Sequence, residues 1–114
     1  MAALTVTTPL ATASNVASTA VSCDGQILYL VANSDVQVSI TLEVSHNGTD
    51  FKVYPLGYLK NASADFIEPY PIRFTTTWAS GPIDVAGYNY FRIRFANASG
   101  GNAAISATYI LMTK

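Results

Sequence analysis

Charge is scarce in this chain. Six Lys and Arg and seven Asp and Glu are spread over 114 residues, 11% of the total, where ordinary soluble domains carry roughly 25%. The net charge is −1, so the chain lacks the basic footprint that a nucleic-acid partner requires, and none is expected. Lys52, Lys60, Arg73, Arg92, Arg94 and Lys114 are scattered, and only Arg92 and Arg94 stand close together. A domain this poor in charge, with a mean hydropathy of +0.28, has two explanations. Either it is an all-β domain rich in Thr, Ser and Ala, or much of its surface is buried against other subunits.

Chemistry-bearing residues are equally few. The single cysteine, Cys23, has no partner for an internal disulfide and reads as a small buried apolar residue. The single histidine, His46, sits in a turn cluster without a nucleophile motif beside it, so no catalytic triad is expected. One His and one Cys fall short of a zinc site, and no metal or cofactor is expected. Glu43 and Glu68 are the only glutamates. Glu43 lies on the polar face of a strand pattern and Glu68 beside Pro69, which is poor material for a glycosidase pair. Asn47, Thr49 and Asp50 offer oxygen ligands but not the spacing of a calcium loop. The expected protein is not an enzyme. No run approaches the ~18 apolar residues of a membrane helix, and MAALTVTTPLATAS has neither the basic nor the apolar region of a signal peptide. No membrane partner is expected. Sequons at Asn47, Asn61 and Asn97 mark loops.

What the chain does have is alternation. In residues 36–45, Val36, Val38, Ile40, Leu42 and Val44 alternate with Gln37, Ser39, Thr41, Glu43 and Ser45. Successive strand side chains point to opposite faces, so this is a strand with one apolar and one polar face. It runs into His46-Asn47-Gly48-Thr49-Asp50, a turn cluster, and Phe51 to Tyr54 restarts the pattern as a hairpin. Upstream, Gln26 to Ala32 is apolar on both faces, which predicts a central strand or one covered by another segment. Asn33-Ser34-Asp35 reads as a turn between the two. Ile72 to Trp78 is a further strand with Ile72, Phe74, Thr76 and Trp78 on one face; Pro69 and Pro71 keep the preceding residues out of a central position.

Tyr88 to Ala96 is the second clear strand. Phe91, Ile93 and Phe95 face one way, and Tyr88, Tyr90, Arg92 and Arg94 the other. After the loop Asn97 to Asn102, residues 103–112 place Ile105, Ala107, Tyr109 and Leu111 on one face, with Ser106 and Thr108 on the other. The expected fold is all-β: a single antiparallel β-sandwich, jelly-roll-like, of about eight strands, spanning 19–114. Residues 1–18 hold no charge and read as an extended N-terminal arm able to add to a neighbour's sheet. The Tyr88, Tyr90, Arg92, Arg94 strip has three readings: a protein interface, a platform for sugar rings, or a cross-strand ladder within the sheet.

Two hairpin regions together carry a resemblance. Ser45-His46-Asn47-Gly48-Thr49-Asp50-Phe51, then Tyr88-Asn89-Tyr90-Phe91-Arg92-Ile93-Arg94-Phe95, then Asn97-Ala98-Ser99-Gly100-Gly101 resemble the small β-sandwich modules of tailed-bacteriophage virions, especially capsid decoration or cement proteins. The resemblance covers residues 36–112. Similar hairpins and Tyr/Arg strands occur in discoidin-like and carbohydrate-binding sandwiches, but Phe51 stands where those modules usually carry Trp. The resemblance implies a non-enzymatic subunit on the outer capsid surface, a dimer or trimer bound across neighbouring major capsid proteins. It would stabilise the shell by many simultaneous contacts. The residues expected at that interface are Leu4, Val6 and Leu10 of the arm and Tyr88, Tyr90, Arg92 and Arg94 of the strip. The alternatives are a lectin-like module on a phage or bacterial surface and a tail or baseplate subunit.

Overall fold

A computed structural model describes residues 2–24, 26–54, 56–60, 67–70 and 72–113. The described residues form eleven strands and no helix: β1 (Ala2–Ala3), β2 (Asn15–Ala17), β3 (Val21–Ser22), β4 (Ile27–Ser45), β5 (Lys52–Tyr54), β6 (Gly57–Lys60), β7 (Ile67–Tyr70), β8 (Ile72–Ala79), β9 (Ile83–Asp84), β10 (Tyr90–Ala96) and β11 (Ile105–Met112). Nine of them make one curled antiparallel sheet, and β6 and β7 pair separately as a two-stranded ribbon. The loop marked by the Asn61 sequon lies outside the described residues. Pro69 in β7 fits the ribbon's place off the main sheet, because proline cannot donate to a central ladder.

The organising element is β4, 19 residues long. Its first half pairs along one edge with β11, from Ile27↔Met112 to Ser34↔Ile105. Its second half pairs along the same edge with β10, from Ser39↔Ala96 to Ser45↔Tyr90. The opposite edge carries β9, β8 and β5 in turn. Leu28, Leu30, Ala32, Val38, Ile40, Leu42 and Val44 are all buried, every one at an even position. Together with Phe91, Ile93, Phe95, Ile105 and Ala107 they make one core.

Asn33-Ser34-Asp35 is not the turn that its composition suggests; the strand runs through it. Against β8 the register steps from Ser34↔Thr76 to Val38↔Phe74, so β4 advances four residues while β8 advances two. The two extra residues form a bulge, and an even number leaves the inward face unchanged. The polar side chains serve the bulge. Ser34 Oγ donates to Val36 O at 2.7 Å and accepts from Val36 N at 3.3 Å. Asp35 Oδ1 accepts from Ala104 N at 2.8 Å, and Asn33 Oδ1 from the Thr77 hydroxyl at 2.8 Å. Thr76, opposite the bulge, has φ = 73°, a backbone region that a β-branched residue rarely adopts.

Of residues 1–18, expected as an arm reaching a neighbour, the described residues 2–18 lie along the chain's own sheet. β1 pairs with β11 through Ala2↔Tyr109 and Ala3↔Thr108. Leu10 bridges Ala103, and β2 pairs with β10. Leu4 and Leu10 are 5% and 1% exposed and belong to the core. The physical reason is local supply and demand. The outer edges of β10 and β11 present unpaired backbone groups, and the arm brings both matching backbone and apolar side chains.

Asn97 fastens this arrangement. It is 1% exposed, and its Nδ2 donates to Leu10 O and Gly101 O, both at 2.9 Å. Its Oδ1 accepts from Ser99 N at 3.0 Å and Ser99 Oγ at 2.6 Å. Between β2 and β3, which both pair with β10, Ser18 Oγ accepts from Ile93 N at 3.0 Å. That bond satisfies a donor where the ladder is interrupted.

Candidate interaction surface

The second half of β4 presents Glu43 outward, directly across from Arg92 of β10. Arg92 Nε lies 2.6 Å from Glu43 Oε1, and Arg94 Nε lies 3.2 Å from Oε2. One carboxylate thus holds two guanidinium groups. Arg94 Nη1 also donates to Asn15 Oδ1 of β2 at 3.2 Å, and the Arg92 guanidinium stacks 4.0 Å from the centre of the Phe51 ring. Burial acts to raise the Glu43 pKa. The hydrogen bonds and charges of Arg92 and Arg94 outweigh it and hold the carboxyl below its ordinary value.

The turn that follows is closed on itself. Ser45 Oγ accepts from Asn47 N at 3.2 Å and Gly48 N at 3.0 Å. Asn47 Oδ1 accepts from Thr49 N at 2.9 Å and Asp50 N at 2.8 Å, and its Nδ2 donates to Asp50 Oδ2 at 2.9 Å. Gly48 has φ = +80°, and a Cβ there would lie 3.3 Å from the Tyr90 ring. The turn therefore needs glycine twice over, for conformation and for the close approach of Tyr90.

Tyr88 precedes β10 and leaves the line of the strip. Its ring lies 5.1 Å from His46 and 6.4 Å from Tyr54, with the Lys52 ammonium 5.0 Å from its centre. Beside it, Ser22, Asp24, His46, Asn47, Asn89 and Tyr90 line an open hollow of about 380 Å³. Much of the polar lining is already engaged: Asn47 within the turn, and Asn89 Nδ2 on His46 O at 2.8 Å. Cys23 is buried, its thiol pushed up to about 11 by burial and by the charge of Asp24.

Of the seven residues expected at an interface, Tyr90, Arg92 and Arg94 are brought together on one outer face with Glu43, half-buried and tied across strands. Tyr88 joins the adjacent aromatic cluster, and Val6 packs part-buried on the core. Leu4 and Leu10 are occupied inside the chain's own core, so they are not available as surface contacts. Among the described residues there is no group of three or more His, Cys, Asp or Glu placed to hold a metal ion, and no helix is long and apolar enough to cross a membrane.

The first half of β4 presents a different outer face. Cross-strand pairing places Ile27 beside Met112, Tyr29 beside Ile110, and Val31 between Thr108 and Ala79. Ala3 of β1 lies beyond Thr108. Met112 and Ile110 are 52% and 38% exposed. Sequence reasoning missed this face. The signal was the two-sided apolar pattern of Gln26 to Ala32, which implies a cover for the second side; the N-terminal segment pairs at the sheet edge instead of lying over it. The sequence matches no protein-family model and no curated protein.

Proposed function

We propose that the curled sheet is a jelly-roll-like β-sandwich and that the protein is a non-enzymatic virion structural subunit. Its role is that of a capsid decoration or cement protein, a homo-oligomer bound across neighbouring major capsid proteins on the outer shell. The observation that carries this reading is the ion-paired Arg92–Arg94–Glu43 surface with Tyr90 and the flanking turn, in which Tyr90, Arg92, Arg94 and the turn belong to the stretches that resemble the phage modules. Glu43, Arg92 and Arg94 are already bonded to one another, so little of their conformational entropy is lost on docking. Two arginines on one glutamate leave a net positive charge. That suits an acidic or carbonyl-rich partner surface.

The contact set changes from the one expected. Leu4 and Leu10 drop out, and Phe51 and Glu43 enter beside Tyr88, Tyr90, Arg92 and Arg94. A lectin-like module is less well supported, because the hollow beside Tyr88 has most of its amide groups already bonded within the protein.

Co-expression with the major capsid protein of the same genome tests the proposal. The chain is expected to co-sediment with assembled shells at a fixed stoichiometry and to delay their rupture on heating. Shells that never retain it overturn the reading. Binding to a glycan array in the absence of shell binding supports the lectin-like alternative.

A further inference from the structure

We infer that the hollow beside Arg73 is a carboxylate-binding site whose occupant is an acidic side chain, aspartate or glutamate, of a partner protein. The inference deepens the proposed docking face. Which protein supplies the acid rests on that reading; the chemistry of the hollow does not.

The hollow forms where the outer sheet surface sinks. Ser39 of β4 pairs on one side with Arg73 of β8 and on the other with Ala96 of β10. All three stand at outward positions, because their neighbours Val38, Ile40, Phe74 and Phe95 are buried. Ser39 and Ala96 are small, so a space of about 280 Å³ opens over them, bordered by Arg73, Gln37, Ala98 and Ser99. Small-molecule pockets span roughly 300–1,000 Å³. A space just below that range suits the tip of one side chain better than a cofactor.

Spare donors set the chemistry. Among the described residues, Arg73, Gln37 and Ser39 make no side-chain hydrogen bond and no ion pair. Ser99 is spent on Asn97 Oδ1 at 2.6 Å. The hollow beside Tyr88 is the contrast, since the amides of Asn47 and Asn89 there are bonded within the chain. Around Arg73, a guanidinium, an amide and a hydroxyl border one space with their donors unused. Two carboxylate oxygens can accept from the planar guanidinium fork in parallel and still have lone pairs for the hydroxyl and the amide.

Charge and shape select the occupant. No described carboxylate lines the hollow. The two carboxylates of β4 stand outside it and are engaged: Asp35 accepts from Ala104 N at 2.8 Å, and Glu43 holds Arg92 and Arg94. One spare cation matches one monoanion. A phosphate dianion would keep a charge uncompensated, with Asp35 only two residues along β4 from Gln37. No lining residue is aromatic, so a sugar acid finds no ring face on which to stack.

NMR titration of the isotope-labelled full chain tests this, at constant ionic strength. The probe is N-acetylglutamate N-methylamide, and its glutamine analogue is the neutral control. Arg73 Nε–H and the Ser39 and Ala96 amides are expected to shift saturably, with a dissociation constant on the order of tens of millimolar. The glutamine analogue is expected to give no saturable shift. Arg73 is exposed, so Arg73→Gln should abolish the response while amide shifts away from the hollow stay in place. Arg73→Lys should weaken it several-fold, because the charge remains and the fork is lost. Lys52→Gln should bind like the parent. Equal shifts with the glutamine analogue, or an Arg73→Gln variant that binds normally, overturns the inference. So does tighter binding of N-acetylglycine, inorganic phosphate or glucuronate, which would assign the hollow to a chain terminus, a phosphoryl group or an acidic glycan. Failure to bind capsid shells would remove the proposed function and leave this site standing; shell binding without carboxylate binding would do the reverse.

Discussion

The two halves of β4 share one inner face and differ on the outer one. From Leu28 to Val44 the even-numbered side chains meet a single core. Outward, the half at 39–45 carries Glu43 bonded to two arginines across the strand, and the half at 27–34 carries Ile27, Tyr29 and Val31 beside Ile110 and Met112. One half satisfies its outer groups within the chain. The other leaves apolar surface in water. The lesson is that a strand's inner face reports the fold, while its outer face reports what the fold is for.

The sharpest test of the shared core is to cut both halves equally. Leu30→Ala and Leu42→Ala, both at fully buried positions, should each cost about 2–5 kcal/mol in denaturant unfolding, with a single transition in both cases. Two separate transitions, or a large cost in only one half, would show that the halves have independent cores.

The outer faces should then separate the halves. Glu43→Gln removes the carboxylate that holds Arg92 and Arg94 and should cost on the order of 1 kcal/mol at neutral pH. Because the folded pKa of Glu43 is depressed, its stabilisation is fully present above the unfolded carboxyl value of about 4.3 and is lost as pH falls through the lower folded value. The difference between parent and variant should therefore shrink in acid; urea midpoints measured from neutral pH down through that window would show it. A gap that stays constant with pH would mean that the ion cluster does not stabilise the fold.

Ile110→Thr, on the apolar outer face, should change stability by about 0.5 kcal/mol or less when measured dilute. A large loss there would mean that the face is packed within the monomer, and the contrast between the halves would fail.

Much of this arrangement is legible residue by residue. The alternation in 36–45 and in 88–96 identifies the buried sets, and Phe91, Ile93 and Phe95 face the core as their spacing implies. The Asn47-Gly48 turn is legible because its bonds run among residues 45–50. Asn33-Ser34-Asp35 misleads, because the groups that satisfy it, on Thr77, Ser106 and Ala104, are far away in sequence. Leu4 and Leu10 mislead likewise. Short apolar positions in an uncharged stretch say that the segment wants burial and leave open whose core receives it.

The sequence by itself determined the strand periods, the inward residues of the long strands and the closing turn. Each of these rests on side-chain alternation and on bonds between near neighbours. Only the tertiary structure decided that β4 continues through a two-residue bulge, that the N-terminal segment closes the edges of its own sheet, and that Ile27, Tyr29, Val31, Ile110 and Met112 meet on one partly exposed outer face. Those outcomes depend on which distant strands pair and in what register, and no local period encodes that.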